Sequence, residues 1–165
     1  MSKDKDKKQV LSVIIETPKG SRNKYVYDKK AKGFRLKKIL PVGAVFPYDF
    51  GFIPGTKGQD GDPLDILLLM DEAAFPGCIV ECRIVGALKA KQSEGKEMLR
   101  NDRIIGISTQ CSLYKDITDI SQLNPQLLQE ISHFFVSYNE QEGKTFEPRG
   151  WVTPEEALKI IYKGR

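Results

Sequence analysis

Three aspartates stand within six residues in segment 58–65, which reads Gly-Gln-Asp-Gly-Asp-Pro-Leu-Asp. A glycine inside it lets the backbone bend sharply, and a proline fixes φ and removes a hydrogen-bond donor, so the segment predicts a tight turn. The turn gathers Asp60, Asp62 and Asp65, whose charges repel and raise one another's pKa unless a cation lies nearby. Hard divalent ions, Mg²⁺ above all, take such oxygen ligands. This segment, the acidic turn, therefore predicts a metal site.

The acidic turn has two other interpretations. Aspartate, glycine and proline are ordinary turn formers, so a plain turn stays open. An EF-hand loop matches poorly, because Pro63 and Leu64 fall at its fourth and fifth positions and Asp65 replaces the required glycine. A different kind of metal site is needed.

Several function classes lack the residues they require. One histidine, His133, and three cysteines offer neither a zinc finger nor a disulfide framework, and we predict that His133 lies at the surface. A serine-protease-like triad would need that histidine and has no Gly-x-Ser-x-Gly elbow. Segment 143–145 ends like a nucleotide-binding P-loop, but Tyr138 stands where its first glycine must be.

Length and charge indicate one globular domain over residues 1–165. The net charge is +4, and much of the excess lies in segment 1–8, which we predict to be a charged, frayed tail. No apolar stretch and small-residue cleavage site follow this start, and nothing approaches the length of a membrane span. We expect a cytoplasmic protein without a membrane partner.

The elements that must position the acidic turn are mostly strands. Alternating or β-branched runs predict six strands. Apolar residues that recur at helical spacing predict two helices late in the chain. The helices begin at Pro125 and Pro154, where a polar N-cap, Asn124 or Thr153, precedes proline at the first helical position. The strands lie at 10–15, 24–28, 34–40, 65–70, 79–88 and 101–108, with a hairpin tip near Gly95. Many short strands indicate a barrel or a sandwich.

Four aromatic residues alternate through the irregular segment 41–53, which is interrupted by proline and glycine. Their spacing places all of them on one side of an extended chain, and we predict that most of them pack in the core. They are Phe46, Tyr48, Phe50 and Phe52. The run that follows the acidic turn predicts a strand buried on both faces.

In this order of neighbours, the acidic turn resembles the signature of the soluble family I inorganic pyrophosphatases of bacterial type. The likeness extends over most of the chain. Its carrying segments are 60–65, 48–54, 15–18, 24–25, 76–77, 85–89, 133–135 with Tyr138, 143–144 and 150–151. The resemblance implies a mainly β fold, a five-stranded OB-type closed barrel with two helices in the C-terminal third. It also implies an active site at one mouth of the barrel.

The resemblance implies that Mg²⁺, or another divalent ion such as Mn²⁺, activates water to hydrolyse pyrophosphate. It makes Asp62 the candidate base and assigns metal binding to Asp60 and Asp65, with Glu16 in the metal set. Basic side chains and a tyrosine hydroxyl would bind the phosphates. Those substrate-binding positions are Lys24, Lys38, Arg103, Tyr138 and Lys144.

Several positions depart from the family pattern. Gln92 and Asn101 stand at two further metal-binding positions where the family carries aspartates, so two carboxylates have become amides. If the segment is a regular strand, Asn101 and Arg103 share the site face and Asp102 points away. Other departures are Val26 for glutamate, Lys38 for arginine, Phe50 for tyrosine and Asn139 for lysine. Together they predict altered metal binding and reduced activity.

The leading hypothesis is a metal-dependent inorganic pyrophosphatase, with pyrophosphate as substrate. One rival is a non-catalytic relative that binds phosphate compounds or a partner. Another is an OB-type nucleic-acid binder, which the basic pI and aromatic stripe favour and the acidic turn disfavours, so we expect no nucleic-acid partner. By analogy with bacterial members of the family, we expect a homo-oligomer, a hexamer.

Overall fold

A computed structural model describes residues 10–165. The segment 1–8, predicted to be a frayed tail, lies outside these described residues. Within them the chain runs through β1 Val10–Thr17, β2 Asn23–Asp28, β3 Gly33–Ile39, β4 Asp49–Phe52, β5 Asp65–Leu69, β6 Ile79–Glu94, β7 Glu97–Arg100, β8 Arg103–Ser108, α1 Pro125–Glu140, β9 Phe146–Val152 and α2 Pro154–Lys163.

Five strands form a closed ring. β1 pairs with β4, β4 with β5, β5 with β8, β8 with β6, and β6 returns to β1. All of these pairs are antiparallel except β5 with β8. The predicted mainly β fold, a closed five-stranded barrel with two helices in the C-terminal third, is confirmed.

The two faces of β5 pack into different parts of the core. Ile66 and Leu68 belong to a cluster that includes Ile161 of α2, whereas Leu67 belongs to a cluster that includes Phe135 of α1. Burying each such aliphatic side chain is worth about 1.5–3 kcal/mol. The predicted strand with two buried faces is therefore confirmed, and it anchors Asp65 at its first residue.

β6 is longer than its sequence pattern indicates. The predicted strand ends at Leu88, but β6 continues to Glu94 because β7 and β9 pair with its second half. The predicted tip at Gly95 is a turn with a φ of 62°, in the left-handed region that favours glycine. This extension carries Gln92 and Glu94 to the barrel mouth.

β9 was not predicted, since Pro148 and Gly150 interrupt its apolar pattern. It pairs with β6 across a register shift between Lys89 and Ala90, opposite Gly150 and Pro148. Such an irregularity lets a strand accept a residue that cannot donate to the ladder.

Both helices begin as predicted. Asn124 accepts a hydrogen bond from the backbone of Gln126 at 2.9 Å, and Thr153 accepts one from Glu156 at 3.3 Å. His133 is exposed on α1, as predicted. In residues 10–165 neither helix has the length and hydrophobicity that crossing a bilayer requires.

The aromatic stripe is partly split. Phe46 and Phe50 are buried in one cluster, and Tyr48 packs against that cluster. Phe52 leaves it and stacks on Tyr27 of β2, with ring centroids 6.2 Å apart. Most of the stripe is thus core, as predicted, while Phe52 supports the β2–β3 hairpin.

Candidate active site

The acidic turn is held by its own backbone. Gly58 donates to the carbonyl of Asp62 at 2.8 Å, and the backbone of Asp62 donates to Oδ1 of Asp60 at 3.0 Å. Gly61 has a φ of 86°, a conformation that side-chain-bearing residues rarely adopt. The turn then enters β5 at Asp65, which is fixed by pairing with β4 and β8.

A cleft of about 540 Å³ opens above the acidic turn. Its walls come from the turn, the β2–β3 hairpin, the extended end of β6, the start of β8, and the end of α1. Of the predicted site residues all but Lys38 line it: Glu16, Lys24, Asp60, Asp62, Asp65, Gln92, Asn101, Arg103, Tyr138 and Lys144. Residues far apart in the chain therefore meet at one mouth of the barrel.

The pKa values of two carboxyl groups in the turn, Asp60 and Asp65, are raised, so their charged forms are disfavoured. Burial raises the pKa of Asp60, and the nearby charges of Asp62 and Asp65 raise it further. Burial also raises the pKa of Asp65, whereas the Arg103 guanidinium acts in the opposite direction. Asp62 is exposed, and within the described residues no hydrogen bond reaches its carboxylate.

Across the cleft lie Gln92, Asn101 and Arg103, which we call the amide–arginine cluster. Nη1 of Arg103 donates to Oδ1 of Asn101, and Nη2 donates to Oε1 of Gln92 at 3.2 Å. The Asn101 amide donates to the same Gln92 oxygen at 3.0 Å. Nη1 also donates to Oδ2 of Asp65 at 2.8 Å. The amide oxygens expected to ligate metal are thus occupied by a guanidinium.

Asp102 points away from the cleft. It is buried, and its carboxylate accepts from the backbone of Ala90 at 3.0 Å and from Nε of Arg100 at 2.6 Å. Asn101 and Asp102 lie between β7 and β8 rather than in a strand. The alternation expected for a regular strand nevertheless holds, because Asn101 and Arg103 both line the cleft.

The β2–β3 hairpin forms its own two-stranded sheet and supplies cations. Lys24 lines the cleft, and burial lowers the pKa of its ammonium group to about 8, with the neighbouring charge of Lys37 acting in the same direction. The register shifts between Lys24 and Tyr25, so that Lys37 is an extra residue in β3. Such a bulge re-aims side chains, and Lys37, which was not predicted, lines the cleft.

Lys38 instead lies behind the cleft wall. Its ammonium group is 3.8 Å from the ring centroid of Tyr138 and 2.6 Å from Oε1 of Glu142. The Lys38 ammonium lowers the pKa of Glu142 against the effect of burial. Sequence reasoning also missed Glu142, although its position four residues after Tyr138 places both on one side of a helix end.

The Tyr138 hydroxyl is buried and finds no hydrogen-bond partner within residues 10–165. Burial raises the pKa of this phenol well above its usual range, so the hydroxyl keeps its proton and can donate. Asn139 bonds to its own helix instead, donating to the carbonyl of Phe135 at 2.7 Å. An anion in the cleft would meet one ready donor here.

Glu16 on β1 accepts a hydrogen bond from the backbone of Tyr27 at 2.8 Å. Burial raises the pKa of this carboxyl group to about 7, and the charge of Asp65 adds to the rise. The hydrogen bond from Tyr27 to Glu16 joins β1 to the β2–β3 hairpin at the edge of the cleft.

The fit to a divalent cation differs between the two sides. Among residues 10–165 no three His, Cys, Asp or Glu side chains stand as a ready ligand set. Mg²⁺ commonly binds one or two carboxylates, keeps several waters and takes substrate phosphates. Asp60 and Asp65, strained by mutual repulsion, fit such an ion. The amide–arginine cluster does not, since its oxygens already face a cation.

Comparisons with known proteins agree with one another. A family model described as inorganic pyrophosphatase matches residues 13–165. The chain is 40% identical over 158 residues to the inorganic pyrophosphatase of Methanosarcina mazei, covering 96% of this chain and 91% of that protein. The inorganic pyrophosphatase structure from Thermus thermophilus superposes with a TM-score of 0.86 at 34% identity, and the match covers 94% of this chain and 89% of that one. The inorganic pyrophosphatase from Helicobacter pylori superposes with a TM-score of 0.85 at 31% identity, and the match covers 94% of this chain and 91% of that one.

Proposed function

The chain belongs to the inorganic pyrophosphatase family and hydrolyses inorganic pyrophosphate to two phosphates, and we propose that Asp62 is the general base for the attacking water. The observation that carries the proposal is one cleft that joins several cationic side chains to a carboxylate with no partner in the part of the chain that the structure describes. Pyrophosphate is a compact polyanion, so its hydrolysis needs both charge neutralisation and a deprotonated water.

Asp62 suits the role of base better than its neighbours do. Its carboxylate is exposed to the cleft and free of hydrogen bonds within the described residues. Asp60 holds the turn through the backbone of Asp62, and Asp65 is paired with Arg103. A group that must accept a proton should be accessible and uncommitted, and only Asp62 of the three meets both conditions.

The opposite wall would bind the phosphates. Lys24, with a pKa of about 8, is mostly a cation at neutral pH, and the Tyr138 hydroxyl offers an unused donor. Lys144 also lines the cleft, with its ammonium group 4.0 Å from Glu94. Such donors stabilise the negative charge that develops on the leaving phosphate. Lys38 acts from behind Tyr138, whose ring it faces.

We propose Mg²⁺ as the cofactor, held by Asp60 and Asp65, with Mn²⁺ as a substitute. When bound, such an ion would neutralise phosphoryl oxygens and make water more acidic. Glu16, at the same edge of the cleft, would hold its outer waters. The remaining parts of the proposal are a cytoplasmic location and a homo-oligomer, hexameric by analogy with bacterial relatives; light scattering that finds a monomer would contradict the oligomer.

The test is phosphate release from pyrophosphate by the purified chain with Mg²⁺, Mn²⁺, Co²⁺ or Zn²⁺, and with chelator as the blank. Release that depends on an added divalent ion is the expected result. Absence of release with every ion, together with tight pyrophosphate binding by calorimetry, would instead identify a non-catalytic relative. Binding of single-stranded DNA with steep salt dependence would favour the nucleic-acid hypothesis.

A further inference from the structure

Arg103 is a buried cation at the start of β8. It is 4% exposed, and its guanidinium carbon lies 5.0 Å from the ring centroid of Phe135 and 5.2 Å from that of Phe146. A guanidinium ion is weakly hydrated and stacks on aromatic faces, so it tolerates such a place better than an ammonium ion. The side chain is fixed by its surroundings before any ligand arrives.

Three side-chain oxygens converge on this guanidinium. They belong to Asp65, Asn101 and Gln92, and the backbone carbonyl of Asn101 adds a contact at 3.3 Å. An ordinary buried ion pair would need Asp65 alone. The two amide oxygens add acceptors for Nη1 and Nη2, whereas the buried Nε has no hydrogen-bond partner among the described residues.

We propose that Arg103 is a built-in cation that occupies this side of the cleft, so that the chain binds divalent ions at the acidic turn and not at Gln92 and Asn101. The inference rests on the proposed function. It states which cation lies on each side of the cleft: a divalent ion at the acidic turn and the Arg103 guanidinium at Gln92 and Asn101. It reassigns Gln92 and Asn101 from metal ligands to ligands of Arg103.

The charges support this division. One carboxylate, Asp65, balances one guanidinium, and the neutral amides add acceptors without adding charge. Carboxylates at positions 92 and 101 would leave three negative charges around a single positive one, and such a cluster needs a further cation. The hydrogen bond from the Asn101 amide to Gln92 also requires an amide donor, which two carboxylates cannot supply.

The first experiment counts metal sites without substrate, by equilibrium dialysis with Mn²⁺ and electron paramagnetic resonance of the free ion. The native chain should show a single class of Mn²⁺ site, and so should Arg103→Lys, which keeps the charge. The triple variant Gln92→Asp, Asn101→Asp, Arg103→Lys should gain a second class, at least about tenfold tighter than any second binding by the native chain.

The second experiment removes the metal. In chelator, Gln92→Ala and Asn101→Ala should each lower the urea midpoint of unfolding, because each takes an acceptor from a buried guanidinium. Ser93→Ala is the matched control beside Gln92. Its hydroxyl accepts from the backbone of Thr145, away from Arg103, and its effect should be smaller.

Two results would overturn the inference. One is a second class of Mn²⁺ site in the native chain that is lost in Gln92→Ala and Asn101→Ala. The other is unchanged urea midpoints of those variants in chelator, since amides that serve only a metal do nothing without it. Neither measurement involves hydrolysis, so an inactive chain with the expected Mn²⁺ pattern would contradict the proposed base and leave Arg103 in its role.

Discussion

The acidic turn and the amide–arginine cluster face each other across one cleft and treat charge in opposite ways. Among residues 10–165 the turn leaves the Asp62 carboxylate unpaired, and it brings Asp60 close to further negative charge. In the cluster, a carboxylate and two amide oxygens accept hydrogen bonds from Nη1 and Nη2 of Arg103. The turn therefore needs a ligand to balance its charge, whereas the charge of Arg103 is already balanced by Asp65 in the free protein.

This difference separates function from stability within a single site. Groups that wait for a ligand contribute little to folding, since their interactions are absent from the free protein. Groups that satisfy one another are expensive to lose, because a buried partner is left uncompensated. Substitutions on the two sides should therefore affect different measurements.

The largest effect is expected at Asp62. Asp62→Asn should lower kcat by about 10²–10⁴-fold, the usual contribution of a positioned general base. Its free energy of unfolding should change by less than about 0.5 kcal/mol, because the carboxylate is exposed and has no partner within the described range 10–165. Phosphate release and urea unfolding measure the two quantities. Asp116→Asn, at another exposed aspartate, is the control and should change neither; equal losses of activity in both variants would remove Asp62 from the mechanism.

Asp65→Asn should produce the opposite pattern in the free protein. It removes the carboxylate paired with the buried Arg103, and we expect a loss of about 3 kcal/mol in unfolding free energy, at the low end for a buried pair because the Asp65 side chain is 25% exposed. Urea unfolding in chelator measures this loss. Asp60→Asn, which keeps an acceptor for the turn, should cost less than about 1 kcal/mol. Similar costs for the two variants would contradict the stabilising role of the pair between Asp65 and the cluster's Arg103.

Asp102→Asn tests the border of the cluster. Its buried carboxylate serves Arg100 and the backbone of Ala90, so the variant should lose about 1–2 kcal/mol of stability while its Mn²⁺ affinity stays unchanged. Unfolding and dialysis measure these two quantities. A weakened Mn²⁺ affinity would mean that Asp102 reaches the metal.

The smallest effect concerns pH. Lys24 has a pKa lowered to about 8, so its charge is present below that pH and is lost as the pH rises through it. Pyrophosphate affinity should therefore weaken between about pH 7 and 9, by up to about tenfold for one lost charge contact. Calorimetry with Lys24→Arg is the control, because arginine stays charged across this range. A similar decline in both proteins would assign the pH dependence to another group.

Much of the fold follows from local pattern. The apolar run of β5 and the caps of both helices each identify an element from a few neighbouring residues. β9 escaped because Pro148 and Gly150 are strand breakers by composition, and only the pairing with β6 makes this segment a strand. Long-range pairing overrides local preference at that point, and no short window of sequence contains it.

The site divides in a similar way. The acidic turn is contiguous, so its carboxylates could be read from one segment. Arg103 contacts Asp65, which lies 38 residues away in the chain, and no local sequence pattern indicates its hydrogen bonds to Gln92 and Asn101. Lys37 was missed for a different reason, because a bulge breaks the alternation that sequence reasoning assumes.

The length of β6 bears on which parts of the cleft can move. Its first half is paired with β1 and β8, and its second half with β7 and β9, so Gln92 sits on backbone that is bonded on both sides. Amide hydrogens there should exchange with solvent only when a large part of the sheet opens. The acidic turn is held by a few hydrogen bonds of its own, and the β2–β3 hairpin is a separate sheet. We therefore expect the cleft to open and close through the turn and the hairpin rather than through the backbone that carries Gln92.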